Sequence, residues 1–178
     1  AAAEVQTILN FLKVLNNPLQ DIPLFGVLRS PVAGFTDQEI AALRAGRGKE
    51  KLYYSLKAYG QEGEEPVLLR KCRRFLDWFT HFRDYVAYLP IHRLIGQFLE
   101  ETGYLYTVSA LPGGEQRRAN VEMLVAKAEK YEQTSYFGLF HFLQYMDQVE
   151  KYEFPAGEKE ASGLVEAVGR SQFFTAAL

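Results

Sequence analysis

The chain of 178 residues is 48% hydrophobic, 14% aromatic and 24% charged, with a formal net charge of -2. That composition excludes a disordered chain, and it excludes a global field that would draw nucleic acid or an anionic membrane, so any such contact must come from a local patch. A single cysteine, Cys72, excludes an internal disulfide framework and fits a reducing compartment, and no apolar run approaches a membrane span, which makes the cytoplasm the expected location.

The start, Ala1-Ala2-Ala3-Glu4, has neither the charge nor the apolar stretch of a signal peptide, and the missing initiator Met suggests a piece of something larger. Val5, Ile8, Leu12 and Leu15 recur at helical spacing, and Asn16-Asn17-Pro18 stops that helix. Asp21 is then expected to cap a short helix running to about Leu28, because Pro23 is tolerated in a first turn. Asp21 and Arg29 are placed to pair across it. Ser30-Pro31 ends that helix, since a residue before proline is pushed out of the α region. Thr36-Asp37-Gln38-Glu39 is a capping box, with Phe35 and Ile40 as its hydrophobic staple. The segment 17–39 thus reads as two tight corners around a short helix, with no nucleophile or phosphate-cradling glycines.

Gly46-Arg47-Gly48-Lys49 is a loop, and a helix is expected around 51–59, followed by an acidic connector over 60–66. The segment 67–88 is the clearest amphipathic helix. Leu68, Cys72, Phe75, Leu76, Phe79 and Phe82 fall on one side; Arg70, Arg73, Arg74 and Asp77 fall opposite. Pro90 opens another helix that turns Ile91, Leu94, Ile95, Phe98 and Leu99 inward, with Gly103 as its C-cap. A short alternating run over 104–108 is the one strand-like stretch. After the loop at Leu111-Pro112-Gly113-Gly114, Val121, Leu124, Val125 and Ala128 mark a helix, and Leu139, Phe142, Leu143, Met146 and Val149 mark the last strong one. Beyond Tyr152 the pattern decays into a weakly structured tail over 154–178. The expected fold is all-α, an irregular multi-helix domain over 1–153 with about seven or eight helices and one core that includes Leu68, Phe75, Phe79, Ile95 and Leu143.

Chemistry-bearing patterns are sparse. The loop at Gly46 fails as a phosphate loop, because Leu43 and Glu50 stand where a glycine and a Ser or Thr are needed. His81, His92 and His141 are scattered surface or boundary residues without metal-ligand spacing, Cys72 reads as an inert core thiol, and Glu64-Glu65 and Glu100-Glu101 read as solvated charge. No catalytic, cofactor-binding or metal-binding residue is assigned. Two groups remain as DNA-contact candidates: Arg70, Arg73 and Arg74 on one helix face, and Arg117 with Arg118 beside a Gly-Gly loop, with Lys127 and Lys130 further along. Basic residues opposite an apolar stripe are usually only a solvated helix face, and the arginine excess over lysine shifts that balance toward phosphate contacts, which suit the planar guanidinium fork.

Three stretches together resemble one family. "EVQTILNFLKVLNNPLQDIPLFGVLRSPVAGFTDQE" (4–39) resembles the segment after helicase motif IV in AddA-type subunits of bacterial ATP-dependent helicase–nucleases. "YLPIHRLIGQFLEETGYLYTVSALPGGEQ" (88–116) and "RRANVEMLVAKAEKYEQTSYFGLFHFLQYMDQVEKYE" (117–153) are similar to later parts of the same region. The combination of "NPLQDIPL", "LRSP" and "RAN" carries the likeness. The resemblance implies the helical subdomain called 2B, inserted in the second RecA-like motor domain of a UvrD-like helicase, with the first helix, to about residue 17, linking from the motor. The corners of 17–39 would then turn the chain away from that motor.

It also implies a non-catalytic part of a machine for double-strand-break processing and recombinational repair. Expected partners are duplex DNA, the motor domains of the parent chain and an AddB-like subunit, with no membrane. ATP and Mg are expected for the parent and no cofactor for this segment. The nucleotide-binding loop, the Mg-binding acidic motif, the later helicase motifs and the nuclease domain have no counterpart here, and the tail does not match the "TIHKSKGLEFP"-like motif that follows in the family. A stand-alone helical adaptor that binds a protein helix in an apolar groove is the rival reading. A small-molecule enzyme with an aromatic pocket is the third.

Overall fold

The computed structural model describes residues 2–134 and 138–153. They form nine helices and no strand: α1 (Ala3–Asn16), α2 (Asp21–Arg29), α3 (Asp37–Arg44), α4 (Leu52–Glu62), α5 (Pro66–Val86), α6 (Ile91–Thr102), α7 (Tyr104–Ser109), α8 (Gly114–Thr134) and α9 (Gly138–Glu153). The all-α expectation holds. The weak tail expected over 154–178 lies outside the described residues.

In α1, Ile8, Leu9, Phe11, Leu12, Val14 and Leu15 are all buried, so apolar side chains leave the helix on most of its sides. Such a helix must lie inside. It does: α2, α5, α8 and α9 pack around it. Phe11 anchors the centre, its ring 4.5 Å from Phe98, 4.7 Å from Trp78 and 5.2 Å from Phe82. Leu68, Phe75, Phe79, Ile95 and Leu143 all join the same continuous core.

The corners follow the sequence in part. The Thr36 hydroxyl accepts from the Glu39 N–H at 3.1 Å and the Glu39 carboxylate accepts from the Thr36 N–H at 3.0 Å, closing the capping box. Phe35 and Ile40 beside it are buried. Asp21 corrects the expectation. It is the first residue of α2 rather than its cap, and its carboxylate accepts instead from the Leu52 N–H at 3.0 Å, at the start of α4. Nor does it pair with Arg29. Two turns of helix separate the two residues by roughly 12 Å of rise, and closer partners come from the next corners: Arg44 for Asp21 at 3.7 Å, Asp37 for Arg29 at 3.1 Å.

Two further boundaries differ. The helix expected to stop near 59 continues through Gly60 to Glu62, which shortens the acidic connector to three residues. A Cβ on Gly60 would lie 3.0 Å from Leu76 Cδ1, so the glycine is there for the close approach of α4 to α5. The strand-like run over 104–108 is the helix α7, which helps raise the helices among the described residues to nine, above the seven or eight expected. Gly103, left-handed at φ 66°, ends α6 and starts α7 in one residue.

Candidate nucleic-acid interface

The N-terminal half of α5 carries the basic face. Glu65 caps it: the N–H groups of Val67 and Leu68 donate to its carboxylate at 3.0 and 2.7 Å, and these two bonds hold the carboxyl below its ordinary range. The residue read as solvated charge is a helix cap, which satisfies two of the orphan donors of a helix start. One turn further on, Arg70, Arg73 and Arg74 are all exposed, and their i, i+3, i+4 spacing sets them on one outer face. Arg73 is fixed by its Nε, which donates to the Gly60 carbonyl at 2.9 Å. Arg70 and Arg74 make no hydrogen bond or ion pair among the described residues. The exposed Asp77 and Asp84 bound the face toward the C-terminal half.

Lys71, between these arginines, points elsewhere. Its Nζ donates to the Gly34 carbonyl at 2.9 Å and to Glu39 Oε1 at 2.8 Å, tying α5 to the corner before α3. Burial works to raise the Glu39 carboxyl, but Lys71 and the Thr36 bonds outweigh it and hold the group below its ordinary value.

The second pair of candidates divides. Arg117 donates through Nη1 to the buried Glu4 carboxylate at 3.2 Å and through Nε to the Pro112 carbonyl at 2.8 Å. Its side chain is 13% exposed and its guanidinium is committed inside the fold. Arg118 faces out, in an exposed i, i+4 pair with Glu122 at 3.0 Å. The fold therefore does not bring the Arg117–Arg118 pair together on one free surface. In the loop at Gly46, Arg44 donates to the carbonyls of Gly48 and Glu50, and Arg47 makes a two-pronged pair with Glu50. These arginines bind their own turn, and Asp21 already occupies the α4 N-terminus.

Little else is built for chemistry. His81 lies 2.8 Å from Glu101, and His92 Nδ1 lies 2.9 Å from Glu132, whose carboxylate also accepts the Ile91 and His92 N–H groups that open α6. Glu101, read as solvated, is thus held by a neighbour. The Cys72 thiol is buried and pushed up to about 12 by that burial, which fits an inert core group. Among the described residues, no group of three or more His, Cys, Asp or Glu could hold a metal ion, and no helix is long and apolar enough to cross a membrane. Two residues that sequence patterns passed over matter here. Glu4 is the buried partner of Arg117, and Trp78, the one tryptophan of the chain, sits in α5 a turn beyond Arg74. Only its rarity marks Trp78 in the sequence.

No protein-family model matches the chain. Curated relatives do, and three of them share one description, the A subunit of an ATP-dependent helicase/nuclease. The protein so described from Acetivibrio thermocellus is 42% identical over 147 residues, 83% of this chain and 12% of the relative. That from a Thermoanaerobacter species is 35% identical over 167 residues, covering 94% and 13%. That from Anoxybacillus flavithermus is 38% identical over 153 residues, covering 86% and 13%. The chain spans about an eighth of the length of these relatives.

Proposed function

The chain belongs, as a segment, to the family formed by the A subunits of ATP-dependent helicase/nucleases, and from that premise we propose that it is the helical 2B-type subdomain of such a protein, meeting duplex DNA through the outer face of α5. The parent protein would hydrolyse ATP with Mg, unwind and degrade DNA, and act in double-strand-break processing in the bacterial cytoplasm. This segment would do the mechanical part. It holds DNA, or an AddB-like subunit, while the motor domains of the same chain move relative to it. Family membership also speaks against the stand-alone adaptor.

The observation that supports the DNA contact is the state of the arginines. Among the described residues most arginines are engaged within the fold by a hydrogen bond, ion pair or ring contact, whereas Arg70 and Arg74, like Arg93 on α6, stay exposed without a hydrogen bond or ion pair, and the first two stand together beside Arg73. Guanidinium groups left free on one face suit phosphate, and phosphate contacts position a protein without reading bases.

Salt dependence tests it. Duplex binding should be weak and indifferent to sequence, with log affinity falling against log salt at about −0.9 per phosphate neutralised. Replacing Arg70 and Arg74 by glutamine should shrink that slope by about two units and leave the melting temperature nearly unchanged, with Arg73 kept because its Nε donates to the Gly60 carbonyl. An unchanged slope at an unchanged melting temperature would mean that the face is merely solvated.

A further inference from the structure

Behind the arginine face lies a cavity of about 170 Å³. The turn over 31–33 walls it on one side, α5 on the second, and the α6–α7 corner on the third. Its lining includes Val32, Arg74, Phe75, Trp78, Glu101 and Thr107. A cavity of about 150 Å³ holds one benzene ring, so this one takes a single planar ring and little more. Drug-sized ligands need about 300 Å³ or more.

The lining combines three chemistries. The Trp78 indole is braced on its core side by Phe11 at 4.7 Å and Phe82 at 4.9 Å, which holds the remainder of the ring in place as a wall. Glu101 is steadied by His81 at 2.8 Å, by Gln97 at 3.0 Å and by the Tyr85 hydroxyl, three partners in all. A carboxylate has about four lone-pair sites, so it keeps acceptor capacity for a ring N–H or an exocyclic amine. The hydroxyls of Thr102 and Thr107 and the Lys71 ammonium are spent on neighbouring groups. Arg74 alone among the cationic lining groups has no internal partner, and it is shared with the outer face of α5.

We infer that this cavity takes one unpaired pyrimidine nucleotide of a DNA single strand, its base against Trp78 and its phosphate on Arg74. The inference rests on the reading of the α5 face as a DNA contact and adds a single-strand site to it. A polyanion alone would not need the aromatic wall or the carboxylate, and an apolar side chain would not need the guanidinium. Pyrimidines supply all three complements: a flat ring, an edge that donates to a carboxylate, and a linked phosphate. Stacking on an aromatic side chain does not by itself discriminate among bases, so the single-ring volume is what selects a pyrimidine over a purine.

Trp78 reports on the site directly, because tryptophan-selective excitation of the 178-residue chain reads that residue alone. Titration with a short oligo(dT) should quench Trp78 emission saturably, in step with binding followed by anisotropy of a labelled strand. Ala33→Leu and, separately, Thr107→Leu narrow the cavity without touching an arginine. Each should weaken oligo(dT) binding about tenfold, the loss of one stacked base, and leave duplex binding and its salt slope as they were. Oligo(dT) binding without a change at Trp78, or with full strength in both narrowed variants at native melting temperatures, overturns the inference. So does quenching by hydrocinnamate at lower concentration than by oligo(dT), which would assign the cavity to the C-terminal aromatic residue of a protein. Duplex binding that depends on Arg70 and Arg74, with no oligo(dT) binding at all, overturns the single-strand site and leaves the duplex reading standing.

Discussion

Arg117 and Arg118 are neighbours in the chain, yet one lies against a carboxylate that is 4% exposed and the other in a solvent-facing pair. Removing one partner of a buried ion pair leaves a charge without compensation, at a cost of about 3–5 kcal/mol, whereas exposed pairs contribute about 0–1 kcal/mol. Asn120 Nδ2 also donates to Glu4, at 2.8 Å, which softens the loss. Arg117→Met should therefore destabilise the chain by about 3 kcal/mol in urea denaturation, and Arg118→Met by under about 0.5 kcal/mol. Equal effects would contradict the burial of Glu4. The sequence does not separate these two residues, because the partner that does so is 113 positions away. By contrast, the exposed arginines of α5 are legible from their own helix, since the apolar stripe that fills the core dictates which side remains outside.

Elements set by local chemistry are the ones the sequence announces. The capping box of α3 needs only Thr36 and Glu39 three positions apart, and its loss is local as well: Thr36→Ala should cost about 1 kcal/mol. Folding holds Glu39 below its ordinary value of 4.5, so the folded state favours the ionised form. That contribution is complete above the ordinary value and is lost as the pH falls through it toward the lower folded value. Melting temperature should thus drop from about pH 4.5 downward, and Glu39→Gln should flatten part of that drop. An unaltered acid limb in the variant would show that Lys71 and Thr36 do not hold the carboxylate. Helix α7 is not legible for a physical reason. Six residues make under two turns, too few to show a helical period over their alternating pattern, and the element is held by the Gly103 conformation and by the Tyr104 hydroxyl, which donates to the Glu4 carbonyl at 3.0 Å. Gly60 misleads in the same way. Glycine reads as a breaker in isolation, while its reason for being in α4 is Leu76 on the facing helix.

At the scale of the molecule, the core members Leu68, Phe75, Phe79, Ile95 and Leu143 follow from helical periodicity, but the place of α1 does not. Its periodic residues Val5, Ile8, Leu12 and Leu15 describe one face, whereas Leu9, Phe11 and Val14 are buried too, because four other helices close around it. A helix read as the link from the motor is also the axis of the core, so a force applied through it reaches α2, α5, α8 and α9 together. Burying an apolar side chain of this size contributes about 1.5–3 kcal/mol, so the six in α1 contribute on the order of 10 kcal/mol. That equals the whole stability of a typical domain, about 5–15 kcal/mol. The chain shortened to 17–178 should therefore show no cooperative urea transition by far-UV circular dichroism, although α5 and α8 keep their helical propensity. Phe11→Ala in the full chain, which removes the ring shared by Trp78, Phe82 and Phe98, should cost about 3–5 kcal/mol and still unfold in one step. A sharp, cooperative transition in the shortened chain would instead make α1 an attached helix around which the rest of the fold can turn.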